Sequence, residues 1–237
     1  MFNKDELEDL LVNVGSKIEK PVSIYLIGGC ALSFKGLKAA TKDIDIIITS
    51  QSDFDIFDKA MSKGGFKNMN DRESEFYLTA LAVYVKEESR IDVFLKQAGK
   101  MLFITPTIIK RARKFKDFGK LAVFFVSNED IFLFKAMVSP KRQADIYDCD
   151  RLMKEGLNYS VIYDEIAGQS SHSKKWFFWL YENLCHIENF NGIKTPLKSK
   201  VFSLVKKYWK DKPSEFMSDV EDREKHIPDK KLLKELE

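Results

Sequence analysis

Residues 27–48 read IGGCALSFKGLKAATKDIDIII. The six residues ending at Ile27, VSIYLI (22–27), form a continuous apolar and β-branched run of the kind that fills a central strand. Gly28-Gly29 ends that strand, CALSFKGL (30–37) is short and compatible with a helix, and IDIIIT (44–49) reads as a second strand. The fold therefore starts from strand, glycine turn, short helix, and a second strand that opens on Asp43-Ile44-Asp45.

Upstream, Leu7, Leu10, Leu11, Val14 and Ile18 recur at helical spacing, and Lys20-Pro21 stops that helix. Downstream, Ser52-x-x-Asp55 has capping-box character and predicts a helix from Ser52 to Gly64-Gly65. TALAVYV (79–85) and IDVFL (91–95) predict a hairpin about the charged turn KEESR. Thr105-Pro106 joins an N-cap hydroxyl to proline at the first helical position, so TIIKRARKF is expected to be a basic helix, with LAVFFV (121–126) as a further strand. Ser127-x-x-Asp130 again resembles a capping box before IFLFKAMV; Pro140 is expected to end that helix, and another should run from about Arg142 to Lys154. Beyond Gly156 the pattern is helical, with Trp176, Phe177, Leu180, Leu184 and Ile187 on one face and Val201, Leu204, Val205 and Tyr208 on another. SDVEDREKHIPDKKLLKELE is read as a loosely packed terminal helix or a tail.

With 44% hydrophobic and 32% charged residues, the 237-residue chain is not composed like a disordered protein. No apolar run approaches the roughly 20 residues of a membrane span, and the acidic start MFNKDELEDL is unlike a signal peptide, so a cytosolic protein is expected. Cys30, Cys149 and Cys185 stand far apart, as do His172, His186 and His226, which argues against a zinc site or a disulfide framework. The formal charge of +3 is small but uneven. Lys110, Arg111, Arg113, Lys114, Lys116 and Lys120 face Asp117 alone in KRARKFKDFGK, and a lysine-rich stretch lies between Lys174 and Lys212. Either could meet a polyanion such as RNA. Trp176 and Trp179 sit at helical spacing and are assigned to core packing rather than to base stacking.

On a strand, residues two apart project from one side, so Asp43 and Asp45 bring two carboxylates about 7 Å apart along one edge. Such oxygen donors suit magnesium, which keeps coordination sites for water or phosphate; an exposed strand edge would show the same pattern. The glycine turn permits close backbone approach, and the helix after it directs its first amides toward a phosphate, although a plain strand-to-helix turn also needs glycine. Asp92, flanked by Ile91, Val93, Phe94 and Leu95, calls for a metal or for an ion pair with Arg90 or Arg113, because a lone charge in an apolar strand is costly.

IGGCALSFKGLKAATKDIDIII followed by IDVF resembles the nucleotidyltransferase superfamily of the DNA polymerase β type, whose pattern is Gly-Gly or Gly-Ser, then Asp-x-Asp, then a separate third Asp. EDIFLFKAMVSPKRQADIYDCDRL (129–152) is similar to the closing motif of minimal nucleotidyltransferases related to the abortive-infection toxins, matching at Lys135, Arg142, Asp145 and Asp148. A charged surface helix is the plainer account of Arg142 and Asp148. The resemblance covers about residues 22–152. It implies an α+β fold, a small mixed, twisted sheet flanked by helices and followed by an α-helical part, with a catalytic domain at 1–156 and a helical domain at 157–237. It implies transfer of a nucleoside monophosphate from a triphosphate such as ATP, with release of pyrophosphate, to an RNA end, a protein or a small molecule. Asp43 and Asp45 would hold Mg²⁺ or Mn²⁺, Asp92 would also ligate metal and help activate the attacking hydroxyl, and Lys135 would neutralise the triphosphate. Gly28, Gly29, Ser33, Lys42, Lys135, Arg142 and Asp145 would bind the nucleotide, and a partner protein of the toxin–antitoxin type is expected. The rival reading is an inactive nucleotide-binding or antitoxin-like module on the same fold. Gly29 stands where serine is commoner, which removes a hydroxyl able to touch the phosphates.

Overall fold

The computed structural model describes residues 4–69, 80–98, 102–138, 142–173, 176–221 and 227–237, and the chain divides into two compact units, 1–127 and 128–237. The expected division near residue 156 falls inside the second unit. In the first unit α1 (Lys4–Gly15), β1 (Val22–Ile27), α2 (Gly28–Phe34), β2 (Ile44–Ile48) and α3 (Gln51–Lys63) are followed by β3 (Lys67–Asn68), β4 (Ala82–Lys86) and β5 (Ser89–Leu95). The pair β6 (Gln97–Ala98) and β7 (Leu102–Phe103), then α4 (Pro106–Arg111), β8 (Arg113–Phe118) and β9 (Leu121–Phe125), complete it.

Seven strands form one sheet in the order β3-β4-β5-β2-β1-β9-β8. β1 runs parallel to β9 and β2 parallel to β5, while the other pairings are antiparallel, so the sheet is mixed as expected. Its register follows from burial. Ile24, Leu26, Ile44, Ile46, Ile91 and Val93 share one face, each at most 1% exposed. Helices cover that face through Phe34 against Phe125 and Phe57 against Tyr84, with ring centroids 5.4 and 6.4 Å apart. Burying each aliphatic side chain contributes roughly 1.5–3 kcal/mol. A one-residue slip of β2 or β5 would exchange these side chains for Asp45 or Asp92, which disfavours every register but the observed one.

Two local readings are corrected. Ser50 caps α3, accepting from the Asp53 amide at 3.1 Å, so the box is Ser50-x-x-Asp53 rather than Ser52-x-x-Asp55. The basic helix ends at Arg111: Thr105 caps α4 as expected, but RKFKDF forms β8 at the sheet edge. Antiparallel pairing with β9 across the Gly119 turn, with Phe115 and Phe118 joining the Phe34–Phe125 cluster, outweighs helical propensity there. The expected hairpin forms about Glu87, whose φ is 54°; Thr79 lies outside the described residues.

The second unit is helical: α5 (Asn128–Ala136), α6 (Gln143–Lys154), α7 (Tyr159–Gly168), α8 (Ser170–Ser173), α9 (Phe177–Asn191), α10 (Pro196–Asp211), α11 (Pro213–Glu221) and α12 (Lys230–Lys234). Pro140 lies outside the described residues, as do 222–226 of the charged terminal stretch. Trp176, Phe177, Trp179, Leu180, Leu184 and Ile187 are all buried, in keeping with a packing role. Among the described residues no helix is long and apolar enough to cross a membrane.

Candidate active site

Aligned residues on neighbouring strands project from the same face, and the parallel pairing of β2 with β5 aligns Asp45 with Asp92. Their face is opposite to the one packed by helices, and both aspartates are half-buried. Asp43 lies just before β2, and Arg90 joins it to Asp92. The guanidinium forks both Asp92 oxygens, Nε to Oδ1 and a terminal nitrogen to Oδ2, each at 2.8 Å, while Nε stands 3.9 Å from Asp43 Oδ1. The ion pair with Arg90, an alternative to a metal in the sequence, is thus present alongside the convergence of the carboxylates. Burial pushes the Asp92 carboxyl above its ordinary range; Arg90 pulls it back in part, and the charge of Asp43 adds to the rise.

The glycine turn closes on Asp45. Ile27, the last residue of β1, is aligned with Asp45, and Gly28 follows with φ +65°. A Cβ on Gly28 would stand 2.2 Å from Asp45 Oδ2, so both the backbone angle and the carboxylate require glycine. Cys30 Sγ lies 3.0 Å from the Ile27 carbonyl and 3.7 Å from that of Asp45, tying the turn to β2. Burial, then the Asp45 charge, pushes this thiol up to about 12, which makes it a structural donor rather than a nucleophile or metal ligand. Ser33 is buried on α2, and its hydroxyl has no hydrogen-bond partner among the described residues. Lys42 is exposed beside Asp43.

Among the described residues no three His, Cys, Asp or Glu side chains form a ready cage for a metal. The donor set still fits a hard cation, because magnesium is commonly held by one or two carboxylates and completes its shell with water and substrate phosphates. Asp43 and Asp45 meet that requirement; each Asp92 oxygen accepts one hydrogen bond from Arg90 and keeps a second lone pair with which it could join them.

Residues 6–172 match the family described as "Nucleotidyl transferase of unknown function (DUF2204)". The chain belongs to this family. The nucleotidyl transferase is similar to two solved structures from Helicobacter pylori. One is JHP933, at 12% identity and TM-score 0.42, covering 86% of this chain and 90% of that one. The other is a candidate nucleotidyltransferase, at 14% identity and TM-score 0.39, covering 86% and 92%. Likenesses of this size carry no argument about the site. No curated protein matches the chain.

In the second unit of this nucleotidyl transferase, Lys135 lies inside an ionic cluster. Its ammonium is 2.8 Å from both Asp145 Oδ1 and Asp148 Oδ2, with side-chain exposures of 9%, 8% and 2% for Lys135, Asp145 and Asp148. Burial alone would lower the Lys135 pKa, but the two carboxylates outweigh it and hold the ammonium above its ordinary range. Arg142 Nε stands 3.0 Å from Asp145 Oδ2 without hydrogen-bond alignment, and Arg151 reaches Asp148 at 3.3 Å. The motif residues Lys135, Arg142, Asp145 and Asp148 are therefore brought together, around the lysine.

Sequence reasoning missed Lys38 and Thr41 at the turn. A Cβ on Gly29 would meet Thr41 Oγ1 at 2.8 Å and Lys38 Nζ at 3.5 Å. Thr41 is buried and donates to the Asp43 carbonyl at 2.9 Å. The overlooked signal was Gly29 itself: a glycine where serine is commoner implies that another side chain occupies the space.

Proposed function

We propose that this nucleotidyl transferase moves a nucleoside monophosphate from a triphosphate to a hydroxyl acceptor, RNA first among the candidates. The observation that carries the reading is the alignment of Asp45 with Asp92 on one face of the sheet, beside a glycine that Asp45 itself makes obligatory. Asp43 and Asp45 would hold Mg²⁺ or Mn²⁺, which when bound supplies charge neutralisation and orientation of the triphosphate. Gly28, Gly29, Ser33 and Lys42 form the phosphate side. Asp92, whose carboxyl burial makes more basic, is suited to take the proton of the acceptor hydroxyl as its oxygen bonds to the α-phosphorus and the bond to pyrophosphate breaks.

RNA is favoured by charge at the same end of the sheet. Phe94, Ile47, Tyr25, Phe124 and Lys114 lie in one register across five strands, two residues from the row of Asp45 and Asp92 and on the same face of the sheet. Lys114 thus stands about 14 Å from β2, three strand spacings away, with Lys110 and Arg111 of α4 just before its strand. A single strand with its end at Asp92 could run that distance. A protein or small-molecule acceptor, and a partner protein of the toxin–antitoxin type, remain outcomes of the test.

The test incubates the chain with each of the four α-labelled triphosphates, Mg²⁺ or Mn²⁺, and total RNA, protein or aminoglycoside acceptors. Metal-dependent labelling of RNA that Asp45→Asn abolishes is expected. Metal-dependent triphosphate binding with no label on any acceptor would leave a binding module and remove the transfer reading.

A further inference from the structure

We propose that Lys38, whose ammonium stands beside the bare backbone of Gly29, is the cation that grips the triphosphate at the glycine turn, with Thr41 fixing its loop in place. The inference rests on the triphosphate reading of the Gly28-Gly29 turn and names a residue which that reading lacked. Three observations carry it. The Thr41 hydroxyl lies 2.8 Å from where a Gly29 Cβ would be and so takes that space, and the Lys38 ammonium borders it at 3.5 Å, which puts a polar pair at the turn. Thr41 is 6% exposed and its hydroxyl is bound to the carbonyl of Asp43, which couples the Lys38 loop to the strand that presents the acidic pair. One helical turn beyond Gly29, on the same face of α2, the Ser33 hydroxyl is 5% exposed and has no hydrogen-bond partner among the described residues, leaving an unused donor beside the pair.

The chemistry fits a chain of phosphates. A triphosphate presents more negative charge than two divalent ions neutralise once carboxylates share those ions, and a lysine acts there as a flexible point charge that follows the phosphates. The sequence nominated Lys135 for this task, but its ammonium is engaged by two buried carboxylates. Lys38 is half-buried in the same unit as the glycine turn, its ammonium 3.5 Å from the position of a Gly29 Cβ. Thr41 is a positioning residue: its hydrogen is already given to the backbone, so it acts by holding the segment 38–43.

The experiment measures binding of Mg·ATP, the other three Mg·triphosphates and Mg·tripolyphosphate to the full chain by calorimetry, for wild type, Lys38→Gln, Lys38→Arg and Gly29→Ala, with thermal melts of each. Lys38→Gln should weaken every triphosphate and tripolyphosphate alike, about 10- to 100-fold for one charge-assisted contact. Lys38→Arg should recover most of the loss, and Gly29→Ala should weaken binding as well, because its Cβ would stand 2.8 Å from Thr41 Oγ1 and push the Lys38 loop aside. In transfer assays the loss falls on KM for the triphosphate more than on kcat. Undiminished tripolyphosphate binding by Lys38→Gln, while wild type binds, overturns the assignment and leaves the triphosphate reading intact. Failure of wild type to bind any of the five probes overturns that reading and this inference with it.

Discussion

Replacing Lys135 by Met tests whether that lysine holds the fold or the substrate. The substitution keeps the volume and apolar stem but removes the charge, leaving Asp145 and Asp148 facing each other with 8% and 2% side-chain exposure. Removing one member of a buried ion cluster costs about 3–5 kcal/mol, because the remaining charges stay desolvated without their buried counter-charge. Arg142 and Arg151 cannot take over: their side chains are 65% and 49% exposed, and partners of that kind contribute roughly 0–1 kcal/mol. At roughly 2–4 °C per kcal/mol for a chain of this size, the melt should fall by about 6–20 °C. Because the folded pKa of Lys135 is raised, its contribution is fully present below about 10.4 and is lost only as pH rises through the higher folded value. The deficit should therefore persist from pH 6 to 9 in circular-dichroism melts. Lys135→Met combined with Asp145→Leu and Asp148→Leu should regain most of the loss, since a buried ionic cluster replaced as a whole by apolar residues of similar volume is often neutral in stability. A single variant that melts within about 2 °C of wild type yet binds triphosphate tenfold more weakly would refute the reasoning and return Lys135 to the substrate.

Three further outcomes are expected. Asp92→Asn should abolish transfer yet raise the melting temperature at pH 7: a carboxyl with a raised folded pKa contributes most below about 4 and loses that contribution as pH rises, so an unchanged or lower melt would contradict the burial argument. Arg90→Met removes the group that pulls the Asp92 pKa back, so the acidic limb of the activity profile should move to higher pH, and a shift to lower pH would exclude Asp92 as the titrating base. Gly28→Ala should lose about 1–2 kcal/mol from its left-handed backbone alone, together with transfer activity, because its Cβ would meet Asp45 Oδ2; retained activity in a labelling assay would show that Asp45 can move away without consequence.

Much of the fold was legible because burial periodicity is a local property. VSIYLI and IDIII are apolar on both faces, as inner strands must be, and both became inner strands of the sheet. RKFKDF was misread for the opposite reason: its strand state depends on β9 and on Phe34, which no window of sequence contains. The cap of α3 slipped by two residues because Ser50 and Ser52 each have an acidic residue three positions later, and only backbone geometry chooses between them.

At the site, the acidic triplet and the glycine pair were nominated by residue type together with the resemblance to the nucleotidyltransferases, since each motif alone also fits an exposed strand edge or a plain turn. Register decided the rest. That Asp92 falls beside Asp45, that Arg90 spans Asp92 and Asp43, and that Thr41 takes the space of a residue-29 side chain with Lys38 beside it are contacts that no local pattern of residues specifies. The amino-acid sequence by itself determined which strands could be buried and which side chains could bear the chemistry, because hydrophobicity and ionisable groups belong to residues one at a time. Only the tertiary structure decided which charges meet, because ion pairing and close backbone approach depend on distances that folding alone sets.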